Sequence, residues 1–337
     1  MRNDPIENHR DLNKRDRDGG GTAVQHMYRR YGAHRQALHQ RFLAAATSDN
    51  TRRTYRSAIR HFHAWGGLLP CDESSIVRYL LTYADSLNPR TLSLRLTALS
   101  QWHRFQGFSD PASTPTVRKT LTGIERTHGR PRDKARALQF ADLERIVGRL
   151  NSQDDLAALR DAALLQVGFF GAFRRSELVG LTLCDISWEV EGLQITLPRS
   201  KTDQEGQGIV KAIPLGEGIC CPATALRKWI DTAQIGEGPI FRAITRWNQV
   251  QGACLAPASV NTILAKRAAE AGIDYALDLA SHSLRRGLAT SAYRAGAKFQ
   301  DIKRQGGWKH DGTVQGYIEE AGKFEDNAAG TLLRRRP

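Results

Sequence analysis

Apolar residues recur every three or four positions through most of the chain, so its elements read as amphipathic helices. Four are expected between residues 36 and 127. Ser48, Asp49 or Asn50 can cap the first, which carries Tyr55, Ile59, Phe62 and Trp65 at helical spacing. The second carries Ile76, Leu80 and Tyr83. The third opens with Pro89 in its first turn, runs through Leu92, Leu96, Leu99 and Trp102, and stops at Gly107. A fourth covers Thr114 to Arg126. From Leu138 the rhythm resumes with Leu143, Ile146, Val147 and Leu150. The next segment, Asp155 to Phe170, is apolar nearly all round, as a buried central helix would be. The period then falls to two. Leu193, Ile195 and Leu197 alternate with other residues, a polar stretch with Gly206 and Gly208 follows, and Ile209, Lys211, Ile213 and Leu215 alternate in return. That pattern predicts a β-hairpin. Helices are expected again over 221–233, 258–271, 283–295, 299–306 and 311–318. The fold class is mainly α with a small β-sheet.

Composition adds the domain boundaries. A chain of 337 residues suits two domains rather than one core. Residues 1–35 are polar, charged and glycine-rich (Gly19, Gly20, Gly21), and read as a disordered basic arm. The first 60 residues hold 13 Lys or Arg against 6 Asp or Glu. Residues 117–137 hold 7 basic and 2 acidic residues, and Gly129 and Pro131 interrupt the helical pattern there. Residues 128–137 therefore read as a basic linker between a helical domain (36–127) and a second domain (138–323), with a short tail over 324–337. The whole chain carries 49 Lys and Arg against 35 Asp and Glu, a net charge of +14 that favours a polyanion, nucleic acid first. The five cysteines (Cys71, Cys184, Cys220, Cys221, Cys254) form no CxxC pair. Structural thiols in a reduced, cytosolic chain, with no zinc site, are expected. The start of the sequence has no apolar signal region, and no stretch is long and apolar enough to span a bilayer.

The run "GFFGAFRRSEL" (168–178) sets Arg174 and Arg175 directly behind the buried segment. A cation at the edge of a core is costly to desolvate unless something pairs with it. Arg174 can pair with Glu177 one turn later, or wait for an anion. Further along, Lys201 sits where the first hairpin strand runs into its turn. "SHSLRRG" offers His282 and Arg285 on one helical face, and "GGWKHDGTVQGYI" offers Trp308 and, nine residues on, Tyr317. Singly, each has an ordinary reading: an ion pair, a solvated turn lysine, core aromatics. Together and in this order, the second domain resembles the catalytic domain of the tyrosine recombinase (phage integrase) family, in particular its Cre-like members. The helical domain with its basic linker is then the core DNA-binding companion.

The resemblance implies one active site from Arg174 with Glu177, Lys201, His282 with Arg285, Trp308 and the nucleophile Tyr317. The chemistry suits those residue types. A phenol with a pKa of about 10 needs help to lose its proton before it attacks phosphorus. Two guanidiniums can fork onto the non-bridging phosphate oxygens. A mobile lysine can protonate the leaving 5′ oxygen, and His282 can exchange protons or hold the phosphate. The Trp308 indole can donate to a phosphate oxygen, while Glu177 orients Arg174 or His282. His310 competes with Trp308 for its position. Arg175 and Arg286, beside the chosen arginines, are expected at the surface or on backbone phosphates. Arg52, Arg53, Arg56, Arg90 and Arg95, on the polar faces of the first domain, and Arg130 and Arg132 in the linker are candidate DNA contacts. The implied function is a site-specific DNA recombinase working through a 3′-phosphotyrosyl intermediate without metal or nucleotide cofactor. The implied partners are double-stranded DNA with inverted repeats and three further copies of the chain, which is a monomer or dimer when free. Its place is the cytoplasm, at the nucleoid. The tail would dock in trans on a neighbouring protomer. A type IB topoisomerase-like activity and a catalytically silent DNA-binding protein of the same fold are the alternatives.

Overall fold

Three described helices of the first domain begin where a short polar side chain accepts from a free backbone N–H. In the computed structural model, residues 38, 46–131, 135–197, 208–324 and 327–333 are described. Helix α1 (Asp49–Ala64) is capped by Ser48, whose Oγ accepts from Thr51 N at 3.2 Å. Helix α2 (Glu73–Thr82) is capped by Asp72, and α3 (Pro89–Phe105) by Asn88 with Pro89 in its first turn. Gly107 takes a φ of +78° just after α3 ends. Helix α4 (Pro115–His128) completes the set. Phe62, Ile76, Tyr79, Leu80, Leu96 and Leu121 are among the residues that fill its core. The chain divides into two compact units at Arg132–Asp133.

Arg95 departs from the expected polar face. It is half-buried, and its Nη1 donates to the His61 ring at 2.8 Å and lies 3.3 Å from the Tyr79 hydroxyl. Burial, and secondarily Arg95, hold the His61 pKa below its ordinary value. This guanidinium joins α1, α2 and α3 and is committed inside the unit.

In the second unit, α5 (Phe140–Asn151), α8 (Pro222–Thr232) and α10 (Ser281–Arg294) pack around the buried helix α6 (Leu156–Phe170). Helix α6 is less uniformly apolar than its pattern suggests, because Arg160, Asp161 and Gln166 are buried with it. Asp161 accepts from Arg160 Nε at 2.9 Å and, on its other oxygen, from Arg267 Nε at 2.8 Å. Arg267 belongs to α9 (Ser259–Glu270), so this triad ties two helices together.

The hairpin forms, and it is the inner part of a larger sheet. Strands β1 (Ile186–Glu189), β2 (Gly192–Leu197) and β3 (Ile209–Pro214) are antiparallel, with Ile195 opposite Ile186 on one side and Lys211 on the other. A short helix, α7 (Arg175–Gly180), and a second hairpin, β4 (Arg242–Ile244) with β5 (Val250–Cys254), lie outside the expected elements. Helices α11 (Phe299–Gly306) and α12 (Asp311–Gly322) follow α10. Ala172, Ala289, Ile302, Trp308 and Val314 form a small separate core that joins all three to the turn after α6. A last helix, α13, spans Ala328–Leu333. Among the described residues no helix is long and apolar enough to cross a membrane.

Removing one partner from a buried ion cluster strands the remaining charge, at about 3–5 kcal/mol. Asp161→Ala should therefore destabilise the second unit by that order in urea unfolding. A loss below about 1 kcal/mol would show that Arg160 and Arg267 find other partners.

Candidate active site

The turn after α6 is built to present polar groups from inside a core. Ala172 is fully buried and left-handed, with φ of 46°. That conformation costs a non-glycine residue about 1–2 kcal/mol. Two residues later Arg174 opens α7. Its backbone N–H donates to Glu177 Oε2 at 2.8 Å, and its Nη1 donates to Glu177 Oε1 at 2.6 Å. One carboxylate thus fixes both the main chain and the guanidinium of Arg174, and the pair is largely shielded from solvent.

Arg285 lies on α10, 5% exposed. Its Nη1 donates to the Ala172 carbonyl, and its Cζ stands 4.3 Å from the centre of the Trp308 ring. Its Nη2 is buried with no hydrogen-bond partner among the described residues. Burial, then the Arg174 charge, lowers the Arg285 pKa to about 10, with Glu177 and Tyr317 acting the other way. The group stays a cation at neutral pH. A buried donor without an acceptor is destabilising by about 1–3 kcal/mol, and more when charged.

Trp308 is 8% exposed, held there by the two glycines before it. Gly307 is left-handed, with φ of +64°, and closes α11. A Cβ on Gly306 would stand 1.7 Å from the indole, so only glycine lets the ring fold back. The Trp308 and Tyr317 rings then meet edge to face, with centres 5.7 Å apart. His310 is exposed and precedes α12.

The structure thus brings together Arg174, Glu177, Arg285, Trp308 and Tyr317. His282 is exposed in the first turn of α10, one turn before the buried Arg285. Glu177 engages Arg174. Lys201 and Arg132 lie outside the described residues. Arg175 is exposed, but Arg286 is not the surface residue expected. At 4% exposure it pairs with Glu320 through Nη2, donates to the Ala135 carbonyl through Nη1, and stands 5.7 Å from the Tyr317 ring centre. It helps seat the helix that carries Tyr317.

A further residue was not marked by the motifs. Lys211 is 3% exposed, and its Nζ donates to the carbonyls of Gly171 at 2.7 Å and Gln305 at 2.6 Å. Its signal was present in the sequence: a lysine between Ile209 and Ile213 on the inward face of a strand. Burial first, then Arg285 and Arg174 against the opposing pull of Glu177, lowers its pKa to about 7.

Known proteins resemble this chain over most of its length. The model of the phage integrase family matches residues 136–323, more than half of the chain. An integrase/recombinase xerD homolog of Selenomonas ruminantium is 38% identical over 306 residues, covering 88% of this chain and 89% of its own. Tyrosine recombinase XerC of Mycobacterium tuberculosis (strain ATCC 25177 / H37Ra) is 27% identical over 300 residues, with 83% and 91% covered. Among solved structures, the XerH recombinase bound to palindromic difH substrate, in a post-cleavage complex, has a TM-score of 0.60 at 18% identity. That match covers 83% of this chain and 79% of XerH. A lambda integrase dimer bound to a COC' core site has a TM-score of 0.57 at 16% identity, covering 86% and 78%. These two likenesses show the fold. The chain belongs to the phage integrase family. It is a tyrosine-type site-specific recombinase, which cleaves and rejoins DNA strands through a 3′-phosphotyrosyl intermediate. Nothing in these matches favours DNA relaxation or a silent DNA-binding role.

The lowered pKa of Lys211 makes stability depend on pH. Between about 7 and the ordinary lysine value of 10.5 the unfolded chain binds the proton that the folded chain has released. Stability gained from this group therefore rises with pH across that window and is lost as pH falls toward 7. Denaturant unfolding from pH 7 to 10 should show a steeper rise for the parent than for Lys211→Met. Equal slopes would mean that Lys211 titrates as an ordinary lysine.

Proposed function

We propose that Tyr317 is the nucleophile of this recombinase and that Arg174 and Arg285 hold the scissile phosphate. The observation that carries this reading is the buried, unmatched Nη2 of Arg285. It stands in a cluster that also holds Arg174, the Trp308 ring and Tyr317. The Tyr317 oxygen attacks phosphorus, the bond to the 5′ oxygen breaks, and Lys201 gives that oxygen its proton. His282 exchanges the phenolic proton. The two guanidiniums balance the charge that grows on the non-bridging oxygens. Trp308, rather than the exposed His310, fills the sixth position. In the second half of the cycle a 5′ hydroxyl attacks the phosphotyrosine and Tyr317 leaves with its proton restored. The covalent bond conserves the energy of the broken one, so the mechanism calls for no metal or nucleotide.

Sequence recognition falls to the first unit as well as the second. Arg52, Arg53, Arg56 and Arg60 line an open cleft with Trp102 and Phe105, a basic and aromatic surface suited to a DNA groove and its phosphates. Arg90, whose Nη2 donates to the Arg130 carbonyl at 3.2 Å, and Arg130 itself extend the basic surface. Arg52 also pairs with Asp49, and Arg95 contributes by holding the helices rather than by touching DNA. The substrate is a pair of inverted repeats in cytoplasmic, nucleoid DNA, engaged by four copies of the chain. The residues after Tyr317 support that assembly: Phe324, Leu332 and Leu333 are each at least 78% exposed, an apolar edge for the neighbouring protomer.

Tyr317→Phe should bind a half-site like the parent and form no covalent adduct on denaturing gels; an adduct in normal yield would move the role to another residue, with Tyr293 next to be tested. Arg174→Lys and Arg285→Lys should each cut more slowly by about 10²-fold or more at similar duplex affinity, whereas Arg175→Ala should not. Deleting 324–337 should leave half-site binding nearly intact while cooperative filling of full sites and strand exchange collapse. Recombination at the parental rate by the truncated chain would contradict docking in trans.

A further inference from the structure

We propose that Lys211 and Gln305 are positioning residues: a brace that holds strand β3 against the Arg174 turn and the Trp308–Tyr317 segment. Four hydrogen bonds make the brace. Lys211 Nζ donates to Gly171 O at 2.7 Å and to Gln305 O at 2.6 Å. The Gln305 amide donates in return to Phe170 O at 2.8 Å and to Ala212 O at 3.1 Å. Each bond joins two of three elements: β3, the C-terminal end of α6 and the last turn of α11. Gly171 stands three residues before Arg174, and Gln305 three before Trp308. Lys201 lies in the ten residues that link Leu197 to Gly208, between the two strands.

Packing alone does not call for a lysine here. The same strand face carries Ile209 and Ile213, and burying an ammonium beside Arg174 and Arg285 is unfavourable. What offsets it is geometry. The carbonyls at the ends of two helices, α6 and α11, lack intrahelical partners and carry the negative pole of their helix dipoles. One ammonium satisfies one from each. The Phe173 ring face, 5.2 Å from Nζ, and Glu177 add to the attraction. An apolar residue would leave those carbonyls unpaired and the hairpin base free to shift. A displacement of about 1 Å at a reacting group can slow chemistry on the order of 10²-fold.

The proposal rests on the role given to Tyr317, and one experiment keeps its failure apart from a failure of the proposed acid, Lys201. Single-turnover cleavage by the full chain is measured on a half-site substrate carrying either oxygen or sulfur at the bridging 5′ position. A sulfur leaving group needs no proton, so Lys201→Ala should recover on sulfur; failure to recover would count against Lys201 as the acid, not against the brace. Lys211→Met should cut about 10- to 100-fold more slowly than the parent on both substrates, with half-site affinity unchanged. Gln305→Ala, at a partly exposed position, should show the same signature more weakly. Recovery of Lys211→Met on sulfur would make Lys211 itself the proton donor and overturn the positioning role. Parental rates in Gln305→Ala would overturn the brace even if Lys211→Met failed to fold.

Discussion

Two guanidiniums and an ammonium held inside one core, with a single carboxylate among them, are the constraint around which the second unit is arranged. Arg285 is the centre of it. Its charge is buried, one nitrogen is committed to the Ala172 carbonyl, one face lies on Trp308, and one nitrogen is unmatched. In a protein without a ligand such an arrangement is destabilising, and a chain selected for stability alone would replace it with an apolar residue. Under the proposed role of Arg285, a phosphate completes it. The strain elsewhere follows the same logic: a left-handed Ala172 aims a carbonyl at the guanidinium, and Gly306 makes room for the indole.

The rest of the candidate site fixes that cation relative to Tyr317. Glu177 holds Arg174 by main chain and side chain at once. Arg286, next to Arg285 on the same helix, seats α12 through Glu320, so one turn of α10 contacts both Trp308 and the helix that carries Tyr317. Lys211 and Gln305 tie β3 to the ends of α6 and α11, much as Arg286 ties α10 to α12. Catalysis in such a site depends on preorganised dipoles and charges more than on any single proton transfer.

Periodicity was enough to read the long helices and the central hairpin, because each buries a face wide enough to repeat several times. Caps at Ser48 and Asn88 and the Pro89 start were legible for the same local reason. Strand β1, the β4–β5 hairpin and α7 were not, since three to six residues carry no measurable period. Of the candidate site, Arg174, Glu177, Arg285, Trp308 and Tyr317 were marked by the family pattern, and the fold sets them close together. What escaped was the fate of individual arginines. Arg95 and Arg286 look like surface charges in the sequence, yet tertiary neighbours far along the chain (Tyr79 for one, Glu320 for the other) take them inside. Burial of a charge is decided by its partner, and partners are not written next to it.

The central claim is that Arg285 waits for the charge of the scissile phosphate, and it is tested most directly by changing that charge. A methylphosphonate at the scissile position replaces one anionic oxygen with a methyl group. Cleavage rates of the parent and Arg285→Ala on normal and methylphosphonate half-sites form a double cycle between the guanidinium and the phosphate. If the account holds, the two losses are far from additive: Arg285→Ala cripples cleavage of the anionic phosphate but costs little on the neutral one. Equal losses on both substrates would contradict it, because the buried arginine would then serve the fold and not the phosphate.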